Sequence, residues 1–232
     1  MDQPNGDIAV ICGVTGGLGP AVIDAFLERG DRVIAAARSP EKLKALRERH
    51  ESVVVEAVDL TNPGDVEALW VRIDGRGQVP HWLVNLTGGF AAGRVVDTNP
   101  EDFDRTWDLN LGSAWWSCRA GAQRMAQPPG GAIVNVSSRA ALVDSPGSAV
   151  YSVAKAAVVK LTTVLAAEVK GTGLRVNAVL PSVIDTAANH AAMSAESMRA
   201  AVPPEAIAAV IAFLCSDAAA AVTGAVVPVY GA

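Results

Sequence analysis

A glycine-rich turn between an apolar run and an amphipathic segment constrains this chain most. Ile8 to Cys12 is five apolar residues with no polar alternation, the pattern of a strand buried on both faces. Gly13-Val14-Thr15-Gly16-Gly17-Leu18-Gly19 follows, and Pro20 opens an amphipathic helix through Arg29, closed by Gly30. In a strand–turn–helix context, backbone N–H groups at the helix start can hold a pyrophosphate, and the missing side chains let it come close. The same alternation continues along the chain. Val33–Ala37, Val53–Val58, Trp82–Asn85, Ala132–Val136, Leu174–Leu180 and Ala225–Val229 read as further strands. Helices between them start at Ser39-Pro40, Asn62-Pro63 and Asn99-Pro100 and near Tyr151 and Glu205, the third running to about Ala126. No linker or repeat divides residues 1–232; Pro128-Pro129-Gly130-Gly131 is a break between elements. About seven strands alternating with helices, joined by right-handed crossovers, predict one doubly wound, Rossmann-type α/β domain with a parallel sheet and helices on both faces.

The strand ends point to a ligand edge. Cys12, Ala37, Asp59 and Asn85 would line one edge of the sheet, where such folds bind ligands. Arg38 follows the second strand, where the adenosine ribose of a dinucleotide lies. A cation there with no carboxylate suits a 2′-phosphate, so NADP(H) is favoured over NAD(H). Asn85-Leu86-Thr87-Gly88-Gly89 is a second glycine turn at a strand end.

A proton-transfer site is readable further on. Tyr151 and Lys155 stand four apart in a helical run, so phenol and ammonium share one face, one turn apart. The ammonium is expected to pull the phenol's pKa down toward neutrality. Ser138 ends the preceding strand and can face that helix. Asn110 lies inside a helical pattern, a poor place for Asn unless its amide is engaged. Trp107, Trp115 and Trp116 on the same long helix read as core or subunit interface. Residues 187–202 read as a small mobile cover over an apolar pocket that Phe90, Ala140, Leu142, Val183 and Met193 would line, with Arg139 and His190 able to meet an anionic substrate.

Totals exclude other classes. A net charge of −5 argues against a nucleic-acid groove. Cys12, Cys118 and Cys215 are scattered in apolar runs and read as reduced core thiols of a cytoplasmic protein. His50, His81 and His190 never stand at metal-ligand spacing, so no metal site is expected. The first residues lack the pattern of a signal peptide, and no uncharged apolar run reads as long and strong enough to span a bilayer.

Together these motifs resemble the short-chain dehydrogenase/reductase family, in its compact, single-domain, 3-oxoacyl-[acyl-carrier-protein] reductase-like branch, over nearly the whole chain. Gly13, Gly17 and Gly19 match its TGxxxGxG, with Cys12 where Thr is usual. Asn85-Leu86-Thr87-Gly88 resembles its NNAG turn, and Pro181 to Thr186 its PGxxxT, with Ser182 for Gly. The ending Val222-Thr223-Gly224 … Val229-Tyr230-Gly231-Ala232 resembles the family's, with Tyr230 where Asp is common.

The resemblance implies a catalytic tetrad of Asn110, Ser138, Tyr151 and Lys155. It implies coenzyme contacts from Gly13, Gly17, Leu18, Gly19, Arg38, Asp59, Leu60, Asn85, Gly88, Tyr151, Lys155, Pro181, Ile184 and Thr186. Asp59 would meet the adenine, while Thr186 and the Ile184 backbone would hold the carboxamide. Asn110 would fix a water that resupplies the proton through Lys155. The implied reaction is hydride transfer between the coenzyme and a small carbonyl or secondary alcohol. The implied assembly is a homotetramer or dimer, with the Trp-bearing and Tyr151 helices at the interface. Two alternatives remain: a catalytically silent dinucleotide-binding sensor, and a pteridine-type reductase, suggested by Gly88-Gly89-Phe90-Ala91-Ala92-Gly93. A serine hydrolase is disfavoured because no GxSxG elbow occurs.

Overall fold

The computed structural model describes residues 6–77, 79–127 and 129–231. Residues 1–5, Gln78, Pro128 of the break and Ala232 lie outside them. Seven strands form one parallel sheet in the order β3-β2-β1-β4-β5-β6-β7. They are β1 Ile8–Cys12, β2 Arg32–Ala37, β3 Val54–Ala57, β4 Trp82–Asn85, β5 Gly131–Val136, β6 Leu174–Pro181 and β7 Val226–Val229. Nine α-helical segments occur among the described residues: α1 Gly19–Glu28, α2 Pro40–Arg49, α3 Pro63–Asp74, α4 Pro100–Trp107, α5 Ser113–Met125, α6 Ala149–Glu168, α7 Ala187–Ala192, α8 Ala195–Met198 and α9 Pro204–Leu214.

Period-two geometry turns apolar strand runs into two cores. From β1, Ala9 and Ile11 face α1 and α9, where they meet Val22, Phe26, Ile207 and Ile211. Ile8, Val10 and Cys12 face the other way, with Leu69, Trp70 and Ile73 of α3 and Cys118 of α5. Three helices begin as the cap chemistry predicts. Ser39 accepts from the Lys42 N–H at 3.3 Å, Asn62 from Gly64 at 2.8 Å and Asn99 from Asp102 at 2.8 Å, each with Pro at the first helical position.

One expectation changes. The helix read from Asn99 to Ala126 is α4 and α5 joined by a π-helical turn, Asp108–Gly112. The 20 residues of α6, with mean hydropathy 1.5, are long and apolar enough by composition to cross a membrane, although they carry Lys155 and Lys160. One face of it, Ala154, Val158, Thr162 and Ala166, lies buried in the fold, while Val153 and Val164 are exposed. The tryptophans separate: Trp116 packs against the core, Trp107 stacks on Phe103 with ring centroids 5.7 Å apart, and Trp115 is exposed.

Candidate active site

The strand order reverses between β1 and β4, and a groove of about 300 Å³ opens at the carboxyl ends of the strands there. Gly13, Thr15 and Gly16 form one wall, Arg38, Ser39 and Lys42 another, and Asp59, Leu60 and Gly88 complete it. Glycine is required at Gly13: φ is +86°, and a Cβ would lie 2.6 Å from the Thr87 nitrogen. Gly17 faces Thr186, the α7 N-cap, whose methyl would stand 2.6 Å from a Cβ there. The start of α7 is thereby brought against the glycine turn. Leu18 and Gly19 are buried beneath that turn.

Asp59 stands just beyond β3, and one carboxylate oxygen accepts from the Thr61 N–H and hydroxyl at 3.0 and 2.8 Å. Lys42 was not anticipated. The signal was present, because Arg38 and Lys42 are four apart across the start of α2 and the Ser39-Pro40 cap turns both toward the groove. Asn85 behaves differently from expectation. Its amide does not line the groove but donates inward to Asn135 Oδ1 at 2.8 Å and Cys118 Sγ at 3.4 Å. The Ile184 carbonyl accepts from the Asn189 side chain at 2.8 Å, and Pro181 ends β6 fully buried.

Beside this groove, β5 and α6 bring together Ser138, Tyr151 and Lys155. Ser138 leaves β5 in an extended conformation, accepts from the Ala140 N–H at 3.2 Å, and stands near enough to Tyr151 to favour its ionised form. Lys155 is 4% exposed; its Nζ lies 5.9 Å from the centre of the Tyr151 ring and donates to the Val136 carbonyl at 3.1 Å. Phe90 meets the Tyr151 ring edge-on at 5.3 Å and is itself exposed.

Asn110 sits in the π turn. Its Nδ2 donates to the Thr106 and Gly89 carbonyls at 2.9 and 3.0 Å, and its Oδ1 accepts from the Gly89 N–H at 3.2 Å. A mid-helix Asn is tolerated because the widened turn lets its amide serve both the helix and the glycine loop. Gly88 joins the two halves, since a Cβ there would lie 2.8 Å from both Asn110 Oδ1 and Lys155 Nζ. Asn110 and Lys155, with Tyr151 and Ser138 beside Lys155, therefore lie next to Gly88 at the edge of the groove.

The electrostatics correct one expectation. Burial raises the phenol pKa of Tyr151, and neighbouring Ser138 only partly offsets that. Burial also lowers the Lys155 amine from 10.5 to about 8. The anticipated downward pull fails because desolvation of the phenol is the larger effect and the amine stands 5.9 Å from the centre of its ring. Arg139, exposed, holds its guanidinium 5.3 Å over the Tyr230 ring, and His190 is hydrogen-bonded to Asp185 at 2.6 Å. All three cysteines are buried free thiols, each pushed up to about 12 by burial. No group of three or more metal-ligating side chains occurs among the described residues.

Residues 13–231 match the family model described as enoyl-(acyl carrier protein) reductase. The D-threitol dehydrogenase of Mycolicibacterium smegmatis is 32% identical, over 95% of this chain and 90% of that protein. The 2-(R)-hydroxypropyl-CoM dehydrogenase of Xanthobacter autotrophicus is 35% identical, over 77% of this chain and 75% of that one. Among solved structures, ElxO with NADP bound superposes with a TM-score of 0.90 at 26% identity, covering 96% of each chain.

Proposed function

Because this chain belongs to the short-chain dehydrogenase/reductase family and is an NAD(P)-dependent oxidoreductase, we propose that it interconverts a small carbonyl compound and its secondary alcohol with NADP(H), using Tyr151 as the proton donor and acceptor. The observation that carries this reading is the convergence of Ser138, Tyr151 and Lys155 at the edge of a glycine-walled groove.

The groove fits a dinucleotide. Gly13 lets backbone approach closely, the N-terminus of α1 favours negative charge, and the Asp59 carboxyl stands at the far wall. Arg38 and Lys42 would hold a 2′-phosphate at the start of α2, which supports NADP(H) over NAD(H). Glu41, which accepts from the Ser39 hydroxyl at 3.0 Å, would have to turn outward. The NADP-bound ElxO structure supports the same preference. When bound, the coenzyme supplies or accepts the hydride.

The chain's own residues do the rest. Ser138 would hydrogen-bond the substrate oxygen and orient it toward Tyr151. A phenol whose pKa is raised is protonated at neutral pH, so Tyr151 would give its proton to the developing alkoxide. Lys155, at 3.1 Å from the Val136 carbonyl and above Tyr151, would bind coenzyme hydroxyls and supply positive charge near the phenol. Asn110 holds the Gly89 loop at the same edge and would order the water through which Lys155 is reprotonated.

The substrate pocket would be open, because α7 and α8 are short and exposed, and Phe90, Leu142 and Met193 are exposed apolar side chains. A homo-oligomer, dimer or tetramer, belongs to this proposal. Exposed Phe103, Trp115, Val153 and Val164 on the outer faces of α4, α5 and α6 support it. The free thiols suit a reducing, cytoplasmic setting.

The test is a panel of ketones, 3-oxoacyl thioesters and sugars with NADPH and NADH, followed at the nicotinamide absorbance. Tyr151→Phe should abolish turnover while NADPH still binds. An active Tyr151→Phe variant would overturn the mechanism, and NADPH binding without turnover of any substrate would favour the sensor reading.

A further inference from the structure

Strand β5 and helix α6 meet through polar ties that the groove chemistry does not use. The Ser137 hydroxyl, 4% exposed, donates to the backbone carbonyl of Lys155 at 2.7 Å. Two residues back on the same strand face, Asn135 donates from Nδ2 to Thr162 Oγ1 at 2.9 Å. Lys155 and Thr162 are seven apart, two turns along one face of α6. Two fixed points on one helix face set both its slide along the strand and its rotation about its own axis. A single tie would leave the rotation free.

Ser137 is not needed to satisfy the helix. A mid-helix carbonyl already accepts from the N–H four residues on, here Val159. The extra bond adds register at the residue whose amine reaches back to Val136 O at 3.1 Å. One turn before Lys155, the same helix carries Tyr151 against Ser138, the residue that follows Ser137. Position errors of an ångström in such a site cost rate far more than binding.

We propose that Ser137 is a positioning residue, whose hydroxyl sets the height and rotation of α6 and so places Tyr151 against the substrate oxygen and Lys155 near the phenol. This rests on the proton-transfer reading above.

The experiment compares Ser137→Ala and Ser137→Thr with the parent protein by steady-state kinetics. It adds a spectrophotometric titration of the phenol, made in a Tyr230→Phe background so that Tyr151 is the only tyrosine in the chain. Ser137→Ala should lower kcat about tenfold and move the Tyr151 titration midpoint, and Ser137→Thr should restore both. An unmoved midpoint, an unchanged kcat, or a fall that a folded Ser137→Thr fails to restore overturns the proposal. Should Ser137→Thr not fold, the midpoint of Ser137→Ala decides alone. Tyr151→Phe is run alongside. If that variant turns over, the proton-transfer reading fails; if it is inactive while Ser137→Ala matches the parent, only the positioning role does.

Discussion

Asn110 and Gly89 hold each other through two hydrogen bonds, the Gly89 N–H to Asn110 Oδ1 at 3.2 Å and Asn110 Nδ2 to the Gly89 carbonyl at 3.0 Å. The pair ties the π turn between α4 and α5 to the loop after β4. Asn110→Ala leaves the half-buried Gly89 backbone groups and the buried Thr106 carbonyl without these partners. It should destabilise the fold by about 1–3 kcal/mol and lower kcat at least tenfold, read by urea unfolding and steady-state rates. Unfolding free energy equal to that of the parent would show that the π turn does not need the amide.

Gly88 is the contact point between the Asn110 amide and the Lys155 amine. Gly88→Ala would put a methyl carbon 2.8 Å from both, so at least one must move. Circular dichroism should report an intact fold, while turnover falls by about two orders of magnitude. A Gly88→Ala enzyme with parental kcat would mean that the amine's place is uncritical.

Lys155 weakens the fold that it serves. Burial holds its folded pKa near 8, below the 10.5 of the free amine. Below about pH 8 the cost of the buried charge is fully present; between 8 and 10.5 the unfolded chain binds the extra proton, so stability rises with pH there. Lys155→Met removes that cost, up to about 3 kcal/mol, and should be more stable than the parent at pH 7, while inactive. Its advantage should shrink as pH climbs through that window, measured by urea unfolding at pH 7 and pH 10.

Tyr151 should make the two reaction directions respond oppositely to pH. Its pKa is raised, so the protonated phenol needed for carbonyl reduction persists through neutrality and is lost only in strong alkali. The phenolate needed for alcohol oxidation is scarce at pH 7 and grows with pH. Oxidation rates should climb from pH 7 to 10 while reduction rates hold level and then fall. An oxidation rate flat over that range would contradict a raised phenol.

Arg38 and Lys42 can be separated from the rest of the groove. Replacing either with Ala should raise the KM for NADPH about tenfold and leave that for NADH unchanged, because only the phosphorylated ribose needs the cation. Equal losses with both coenzymes would place the two side chains elsewhere.

The order of elements was legible in the residues because it is written locally. An uninterrupted apolar run, a glycine turn and a Ser-Pro or Asn-Pro cap act within a few residues of themselves, and β1, β4 and the starts of α2, α3 and α4 fall where those signals stand. The spacing of Tyr151 and Lys155, and the glycines that a nucleotide groove needs, were equally plain in one dimension.

What only the packed chain decided depends on neighbours distant in sequence. The π turn exists because Asn110 meets Gly89, 21 residues away. Asn85 turned from the groove to Asn135, 50 residues on, because β4 and β5 place the two side by side. The sign of the Tyr151 shift followed from burial, which a four-residue spacing cannot reveal: charge proximity is local, whereas desolvation is summed over everything that packs around the group.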